Sequence, residues 1–162
     1  MIITLSSATA YAYTGGKAFD PRLPTAVFIH GAQNDHSVWA LQTRYFAHHG
    51  FSVLAIDLPG HGRSPGAPLT SVEAMADWLS SVLGAAGVQK TVLIGHSMGS
   101  LIALETALRI KDGVCGVALV GTAYPMKVSA QLLDASEHRE QDAIDMVLSL
   151  IHISEPTRPE RI

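Results

Sequence analysis

Five consecutive residues near the middle of the chain have the form of a nucleophilic site. Gly95, His96, Ser97, Met98 and Gly99 read G-x-S-x-G, directly after an apolar run and directly before a helical pattern. On a tight turn from strand to helix, a serine hydroxyl projects above the sheet, and flanking glycines avoid Cβ clashes where backbone segments approach closely. The pattern alone is also typical of ordinary turns. In this setting it predicts that Ser97 is a catalytic nucleophile.

A second motif supplies candidate hydrogen-bond donors for such a nucleophile. His30, Gly31 and Ala32 follow another apolar run. An oxyanion hole needs two backbone N–H groups that converge on one point. The residue after the nucleophile, Met98, is expected to give one N–H group, and Ala32 is the candidate for the other. Gly31 lets the loop bend close to a substrate.

The loop after the next apolar run is a third candidate. Gly60 and Gly62 fit a tight loop, and we predict that Asp57 and Arg63 form a charge-assisted pair. Alternatively, Asp57 and His61 would be the acid and base of a catalytic triad. We favour a scaffold role for this loop.

Metal or cofactor chemistry is not indicated by the remaining histidines. His36, His48 and His49 lie on or beside a predicted helix without ligand-like partners. A zinc site would need three or four converging ligands. We therefore expect no metal site and no organic cofactor.

Apolar runs alternate with helical patterns, which predicts an α/β fold with a mainly parallel sheet covered by helices on both faces. Strands are predicted at 2–5, 10–14, 25–30, 52–57, 91–95 and 116–121. Helices are predicted at 36–48, at 71–86, from just after Ser97 to Leu108, and from Ser129 onward. Thr70 and Glu73 are expected to form a capping box at the start of the second helix.

Composition and charge exclude several classes of protein. Of the 162 residues, 48% are apolar and 15% are charged, and the formal net charge is −3. These values indicate a globular domain and give no reason to expect a nucleic acid or an anionic membrane as partner. The N-terminus lacks the basic and continuous apolar regions of a secretory signal. Cys115 stands alone among apolar residues, which predicts a core position and suits a cytoplasmic protein.

The three motifs together resemble the α/β-hydrolase superfamily. His-Gly, Asp-x-Pro-Gly-x-Gly-x-Ser and Gly-His-Ser-Met-Gly occur in this order over about residues 1–125. The resemblance is closest to single-domain bacterial hydrolases that carry a helical cap after the sixth strand. It implies a small-molecule substrate and acyl transfer to water at a carboxylic ester, a lactone, a thioester or a C–C bond. A non-catalytic small-ligand-binding protein on the same fold is the alternative.

The resemblance also assigns roles to individual residues. It implies that Ser97 is the nucleophile, that Met98 and Ala32 are the oxyanion donors, and that Asp57 and Arg63 are structural. His96 is not placed to activate its neighbour and is expected to pack near the cap.

The family's other triad residues are not identified in this chain. The acid and the histidine follow the serine in such enzymes. We interpret residues 1–147 as part of a hydrolase domain, with the cap segment beginning at about 129. The acidic residues between 134 and 145 are interpreted as a solvated helix face.

The C-terminal residues have an unusual resemblance of their own. Residues 148–158 match the translation of a transposon adapter from sequencing libraries. We therefore predict that residues 148–162 are a non-native tail and that His152 is no triad histidine; a natural disordered tail is the alternative. The chain as written is expected to be poorly soluble and inactive, and its oligomeric state is left open.

Overall fold

The computed structural model of the chain describes residues 1–6 and 8–151. The chain divides into two compact units, Met1–Ala123 and a second unit that begins at Tyr124. Each unit is described by itself. Most of the predicted tail, residues 152–162, lies outside the described residues.

The first unit contains a six-stranded sheet, and all six predicted strands are confirmed. The strands are β1 (Ile2–Thr4), β2 (Thr9–Tyr13), β3 (Thr25–Ile29), β4 (Ser52–Ile56), β5 (Thr91–His96) and β6 (Val114–Val120). Their order in the sheet is β1-β2-β4-β3-β5-β6. β1 and β2 form an antiparallel hairpin, and β2 also pairs antiparallel with β4. The remaining pairs are parallel, so the prediction of a mainly parallel sheet is correct.

Three helices of the first unit connect these strands. They are α1 (Ala40–His48), α2 (Val72–Ala85) and α3 (Met98–Arg109). A 3₁₀ turn at His36–Trp39 precedes α1, so the predicted helix 36–48 is composite. The predicted capping box at the start of α2 is wrong. Ser71, rather than Thr70, is the N-cap, and its hydroxyl accepts a hydrogen bond from the N–H of Ala74.

The core lies around the central strands. Every residue of β3 and β4 is buried, as expected for strands covered on both faces. β6 lies at the edge of the sheet and is different, with four exposed residues at its C-terminal end. Cys115 is exposed on this strand, so the prediction of a core position is wrong. An apolar run at a sheet edge is not covered in the way the same run is covered in the centre.

Parallel pairing places the candidate site residues together at the carboxyl ends of the central strands. Ile29 pairs with Gly95 on one side of β3 and with Ile56 on the other. The segments that begin at His30, Asp57 and His96 therefore leave neighbouring strands side by side. The carboxyl ends of adjacent parallel strands are the usual position of a ligand site in α/β folds.

The second unit contains two helices, α4 (Ala130–His138) and α5 (Glu140–Ile151). The hydroxyl of Ser129 caps α4 by accepting from the N–H of Leu132. The single helical stretch predicted from Ser129 is thus interrupted at Arg139, whose guanidinium pairs with Asp134 and Asp142. In the described part of the chain, no helix has the length and apolarity to cross a membrane.

Candidate active site

Ser97 lies on a strained turn between β5 and α3. Its φ is 53° and its ψ is −122°, a region that residues with a Cβ rarely adopt. The turn is held by backbone hydrogen bonds, since the Ser97 N–H donates to the Val120 carbonyl at 2.9 Å and the Ser97 carbonyl accepts from the Ser100 N–H at 2.9 Å. Such strain persists only where the surrounding structure imposes it and is common at functional sites.

The two glycines of the motif allow backbone segments to touch. A Cβ on Gly95 would lie 2.6 Å from the Cα of Ser100, and a Cβ on Gly99 would lie 2.5 Å from the His30 carbonyl oxygen. Both distances are far below van der Waals contact. Only glycine allows α3 to begin so close to β3 and β5, and this contact fixes the position of Ser97.

The loop after β3 lies directly against the nucleophile. A Cβ on Gly31 would be 3.3 Å from the Cβ of Ser97 and 3.2 Å from Nδ1 of His96. Gln33, two residues further on, has a φ of 60° and is the second non-glycine residue with positive φ among those the structure describes. Sequence reasoning did not identify Gln33. The strained residues therefore flank one place, the gap between this loop and the start of α3.

Both candidate oxyanion donors border this gap. Ala32 is exposed and Met98 is half-buried. Within residues 1–6 and 8–151, neither backbone N–H donates a hydrogen bond. Two free donors on adjacent loops, beside a serine hydroxyl, are the arrangement expected around a developing oxyanion.

His30 is completely buried beneath the same loop. Its Nδ1 lies 2.7 Å from the Gly31 carbonyl oxygen, and its Nε2 lies 3.2 Å from the Leu58 nitrogen. Burial lowers the pKa of His30 below its ordinary value of 6.5. The side chain thus connects the loop after β3 to the loop after β4 as a neutral imidazole.

The Asp57 carboxylate is held by backbone hydrogen bonds, and the predicted charge-assisted pair with Arg63 is wrong. The buried Asp57 carboxylate accepts from the backbone N–H of His36 at 2.7 Å and from the backbone N–H of Arg63 at 2.9 Å. The guanidinium of Arg63 instead donates to the Tyr11 hydroxyl and lies 5.0 Å from the centre of that ring. The side chain that contacts the Asp57 carboxylate is that of His36, whose Nδ1 is 2.9 Å from Oδ1.

The expectation that His36 lacks ligand-like partners is therefore also wrong. Asp35, His36 and Asp57 bring their ligand atoms within 4.8 Å of one another. The oxygens of Asp57 already receive N–H groups, and Oδ1 of Asp35 accepts from the Ser37 N–H at 2.7 Å. These hydrogen bonds explain the cluster as the support of two loops. Sequence reasoning missed it because His36 and Asp57 are far apart in the chain.

The alternative dyad of Asp57 and His61 is not formed in the structure. Nδ1 of His61 lies 3.0 Å from the Pro59 carbonyl oxygen, and its ring packs 5.1 Å from that of His30. Gly60 and Gly62 both have positive φ, and a Cβ on Gly62 would lie 2.6 Å from Cγ of Asp57. The loop wraps the Asp57 carboxylate, in agreement with a scaffold role.

His96 packs between two loops rather than against Ser97. Its ring lies beside Gly31 and beside Gly121, and it meets Trp39 edge-on at a centroid distance of 6.5 Å. Within the residues that the structure describes, no histidine or carboxylate makes a hydrogen bond with the Ser97 hydroxyl. Among the described residues, the site thus has a candidate nucleophile and two candidate donors, and no hydrogen-bonded base.

Comparison with known proteins identifies the family. Residues 24–145 match the model of the alpha/beta hydrolase fold. The chain belongs to the α/β-hydrolase family. This membership agrees with the strand order, the G-x-S-x-G turn and the adjacent His-Gly loop described above.

Individual relatives include several kinds of enzyme. The chain is 35% identical over 101 residues to 2-succinyl-6-hydroxy-2,4-cyclohexadiene-1-carboxylate synthase of Salmonella typhimurium, a match that covers 62% of this chain and 39% of the relative. Among solved structures, it resembles Est816, an N-acyl homoserine lactone degrading enzyme, with a TM-score of 0.74 and 26% identity over 92% of this chain and 56% of that one. A thermophilic esterase from Thermogutta terrifontis gives a TM-score of 0.64 and 27% identity, over 82% and 48% of the two chains. The chain thus spans less than two thirds of the length of these relatives.

Proposed function

We propose that the intact protein hydrolyses a carboxylic ester or a related acyl compound, with Ser97 as its nucleophile. The observation that carries the proposal is the strained Ser97 turn, whose side chain faces a loop with a free N–H group. Relatives named as an esterase and as a lactone-degrading enzyme support this substrate class. The curated relative is named as a synthase, so the family also contains enzymes named for reactions other than ester hydrolysis.

The mechanism follows from the positions of the described groups. The Ser97 oxygen attacks the substrate carbonyl while a general base takes the hydroxyl proton and later gives it to the leaving group, and the oxygen of that carbonyl becomes negatively charged. The N–H groups of Met98 and Ala32 donate to this oxyanion, and the positive N-terminal end of α3 stabilises it further. The leaving group departs, and water then releases the acyl group from Ser97.

The mechanism also needs a general base that the described residues do not supply. A serine hydroxyl is a weak nucleophile at neutral pH without one. We propose that a histidine and its acidic partner follow in the complete protein, in the order typical of the family. This agrees with a match that covers 39% of the curated relative. In this proposal residues 148–162 are the adapter-derived tail and the natural sequence continues from about residue 147.

The first experiment is to sequence the source gene across codon 147 and to express the complete reading frame. The purified protein is then treated with a fluorophosphonate probe and with p-nitrophenyl esters of different acyl length. We expect labelling and hydrolysis, both abolished in Ser97→Ala. Ser81→Ala, which removes an exposed helical serine, is the matched control and should retain both. A protein whose labelling survives Ser97→Ala would disprove the role of Ser97.

A non-catalytic binding role is the second candidate. It is favoured by one observation, the absence of a hydrogen-bonded base at Ser97 within residues 1–6 and 8–151. A protein of this kind would bind acyl compounds, detected by calorimetry, and would never react with the probe. Labelling of Ser97 in the complete protein would exclude this candidate.

The chain as written is proposed to be inactive and poorly soluble. Val117, Leu119 and Val120 of β6 are exposed by 37%, 44% and 44%, and exposed apolar edges favour association between molecules. Size-exclusion chromatography of the 162-residue chain should show aggregates. A monomeric chain that hydrolyses p-nitrophenyl acetate through Ser97 would contradict this expectation.

A further inference from the structure

We infer that His30 is a positioning residue, which holds the Gly31 carbonyl and thereby aims the Ala32 N–H at the reacting oxygen. The inference rests on the proposed function, because it explains how one of the two proposed oxyanion donors is held in place. His30 is completely buried, so its proposed role is exerted through the Gly31–Ala32 peptide group and not by contact with the substrate.

The hydrogen bonds of His30 define its tautomer. The Leu58 backbone N–H can only donate, so Nε2 must accept at 3.2 Å and carries no proton. In the neutral ring, Nδ1 therefore carries the proton and donates to the Gly31 carbonyl oxygen at 2.7 Å. Burial keeps the ring neutral, since it lowers the pKa of His30. The imidazole thus accepts a hydrogen bond from the loop after β4 and donates one to the loop after β3.

The covalent geometry of the peptide group transmits this hydrogen bond to Ala32. The carbonyl of Gly31 and the N–H of Ala32 belong to the same planar trans peptide, so they point in opposite directions. Fixing the carbonyl towards His30 fixes the N–H away from it. The Asn34 N–H also donates to the Gly31 carbonyl, but at the longer distance of 3.3 Å.

The peptide needs such a restraint because of its position in the loop. Gly31 has no side chain and its backbone rotates easily, so the plane of the following peptide would otherwise be free to turn. The glycine is required there, since a Cβ would crowd Ser97 and His96. The glycine that lets the loop approach Ser97 therefore also makes this part of the loop less rigid, and the His30 hydrogen bond restores the rigidity.

The groups facing His30 leave its neutral form in place. The His61 ring lies 5.1 Å away and disfavours a positive charge on His30, whereas Asp57 and Asp35 favour a positive charge there. Burial is the largest of these influences and acts towards neutrality.

Two substitutions separate the two hydrogen bonds of His30. The side-chain amide nitrogen of asparagine takes approximately the position of Nδ1, so His30→Asn keeps a donor for the Gly31 carbonyl and loses the acceptor for Leu58. The amide of glutamine reaches the position of Nε2, so His30→Gln keeps the acceptor and loses the donor. Each variant loses one buried hydrogen bond, so the two variants are expected to have similar free energies of unfolding.

The measurement is steady-state hydrolysis of a p-nitrophenyl ester by the complete protein and by both variants. Removal of one oxyanion donor lowers kcat about 10²–10³-fold in other enzymes. We expect His30→Gln to lower kcat about 10-fold or more with KM nearly unchanged, and His30→Asn to lower it by no more than about 3-fold. The affinity for a boronic acid, which forms a tetrahedral adduct with serine, should fall in parallel with kcat.

The outcomes distinguish this inference from the proposed function. A wild-type protein that neither hydrolyses nor labels overturns the proposed function. An active wild type in which His30→Asn is as slow as His30→Gln, or slower, overturns only the role of His30. If neither variant folds, nitrogen NMR of the wild-type imidazole decides, because a proton on Nε2 rather than Nδ1 would be incompatible with the inference.

Discussion

Replacement of Gly99 by alanine tests the packing of α3 against β3 with one added carbon. The new Cβ would lie 2.5 Å from the His30 carbonyl oxygen and 2.8 Å from the Ile29 carbonyl carbon. Both atoms belong to the backbone where β3 ends, at the start of the loop that carries Ala32. They cannot rotate away as a flexible side chain would, so the helix or the loop must move.

The expected magnitude follows from two opposing effects. Alanine is favoured over glycine inside a helix by about 1 kcal/mol. Forcing a methyl group into a filled site typically costs about 1–3 kcal/mol, and here the overlap is with backbone atoms. Gly84 in α2 provides the matched control, because a Cβ there would meet nothing within 4 Å. Gly84→Ala should therefore be stabilising by up to about 1 kcal/mol, and Gly99→Ala should be about 1–3 kcal/mol less stable than Gly84→Ala, because the helix preference acts in both variants and cancels.

The assay is urea unfolding of the complete protein, followed by circular dichroism, for the wild type and both variants. Gly99→Ala should also slow fluorophosphonate labelling, since movement of α3 separates Met98 from Ala32. Equal unfolding midpoints for the two variants would refute the reasoning. That result would mean that the close approach of α3 and β3 is not required by the fold.

Three further predictions concern the residues around Ser97. The free energy of unfolding of Ser97→Gly should exceed that of Ser97→Ala by about 1–2 kcal/mol, because glycine adopts the positive φ without strain. Equal free energies in urea unfolding would show that the turn is unstrained. Asp57→Ala should lower the free energy of unfolding by about 2–5 kcal/mol, since it removes the buried carboxylate that accepts from the N–H groups of His36 and Arg63. Arg63→Ala keeps its backbone donor and should cost less than about 1 kcal/mol; a cost equal to that of Asp57→Ala would restore the charge-assisted pair. Because burial lowers the pKa of His30, the unfolded chain binds protons more readily below pH 6.5, so stability should fall from pH 7 to pH 5 and fall less in His30→Asn.

The nucleophilic turn was predictable because its signal is local. The sequence from Thr91 to Gly99 contains the strand, the two glycines, the serine and the helix start in one stretch. Each residue type answers a steric need of that turn, so no knowledge of distant contacts is required. The same holds for the central strands, whose continuous apolar runs are typical of positions covered on both faces.

The partners of Asp57 were not predictable in this way. Arg63 is the nearest cation in the sequence, yet the loop turns its backbone rather than its guanidinium towards the carboxylate. The His36 side chain reaches the Asp57 carboxylate only because β3 and β4 are neighbours in the sheet. The choice of partner is set by the arrangement of strands, which residue spacing does not encode.

The errors at Thr70 and Cys115 have different physical origins. Thr70 and Ser71 are adjacent residues with equivalent hydroxyl groups, and a one-residue difference in where α2 begins decides which of them is the cap. Cys115 lies in an apolar run similar to those of the core strands, but exposure depends on whether neighbours cover the strand. Local composition carries no information on that point.

The pairing of β3 with β5 has a kinetic consequence. The Thr91 hydroxyl donates to the Thr25 carbonyl across a separation of 66 residues, so the strands on which the site is built meet only after a long loop has closed. Contacts of this kind slow folding relative to local hairpins and helices. The indole of Trp39 packs on Phe28 of β3 and on His96 of β5, and a Trp78→Phe variant would leave it as the sole tryptophan among residues 1–162. Its fluorescence in stopped-flow refolding should therefore change late, after the hairpin of β1 and β2 has formed. The rate of this change would measure how fast β3 and β5 pair and bring Ser97 to its native position.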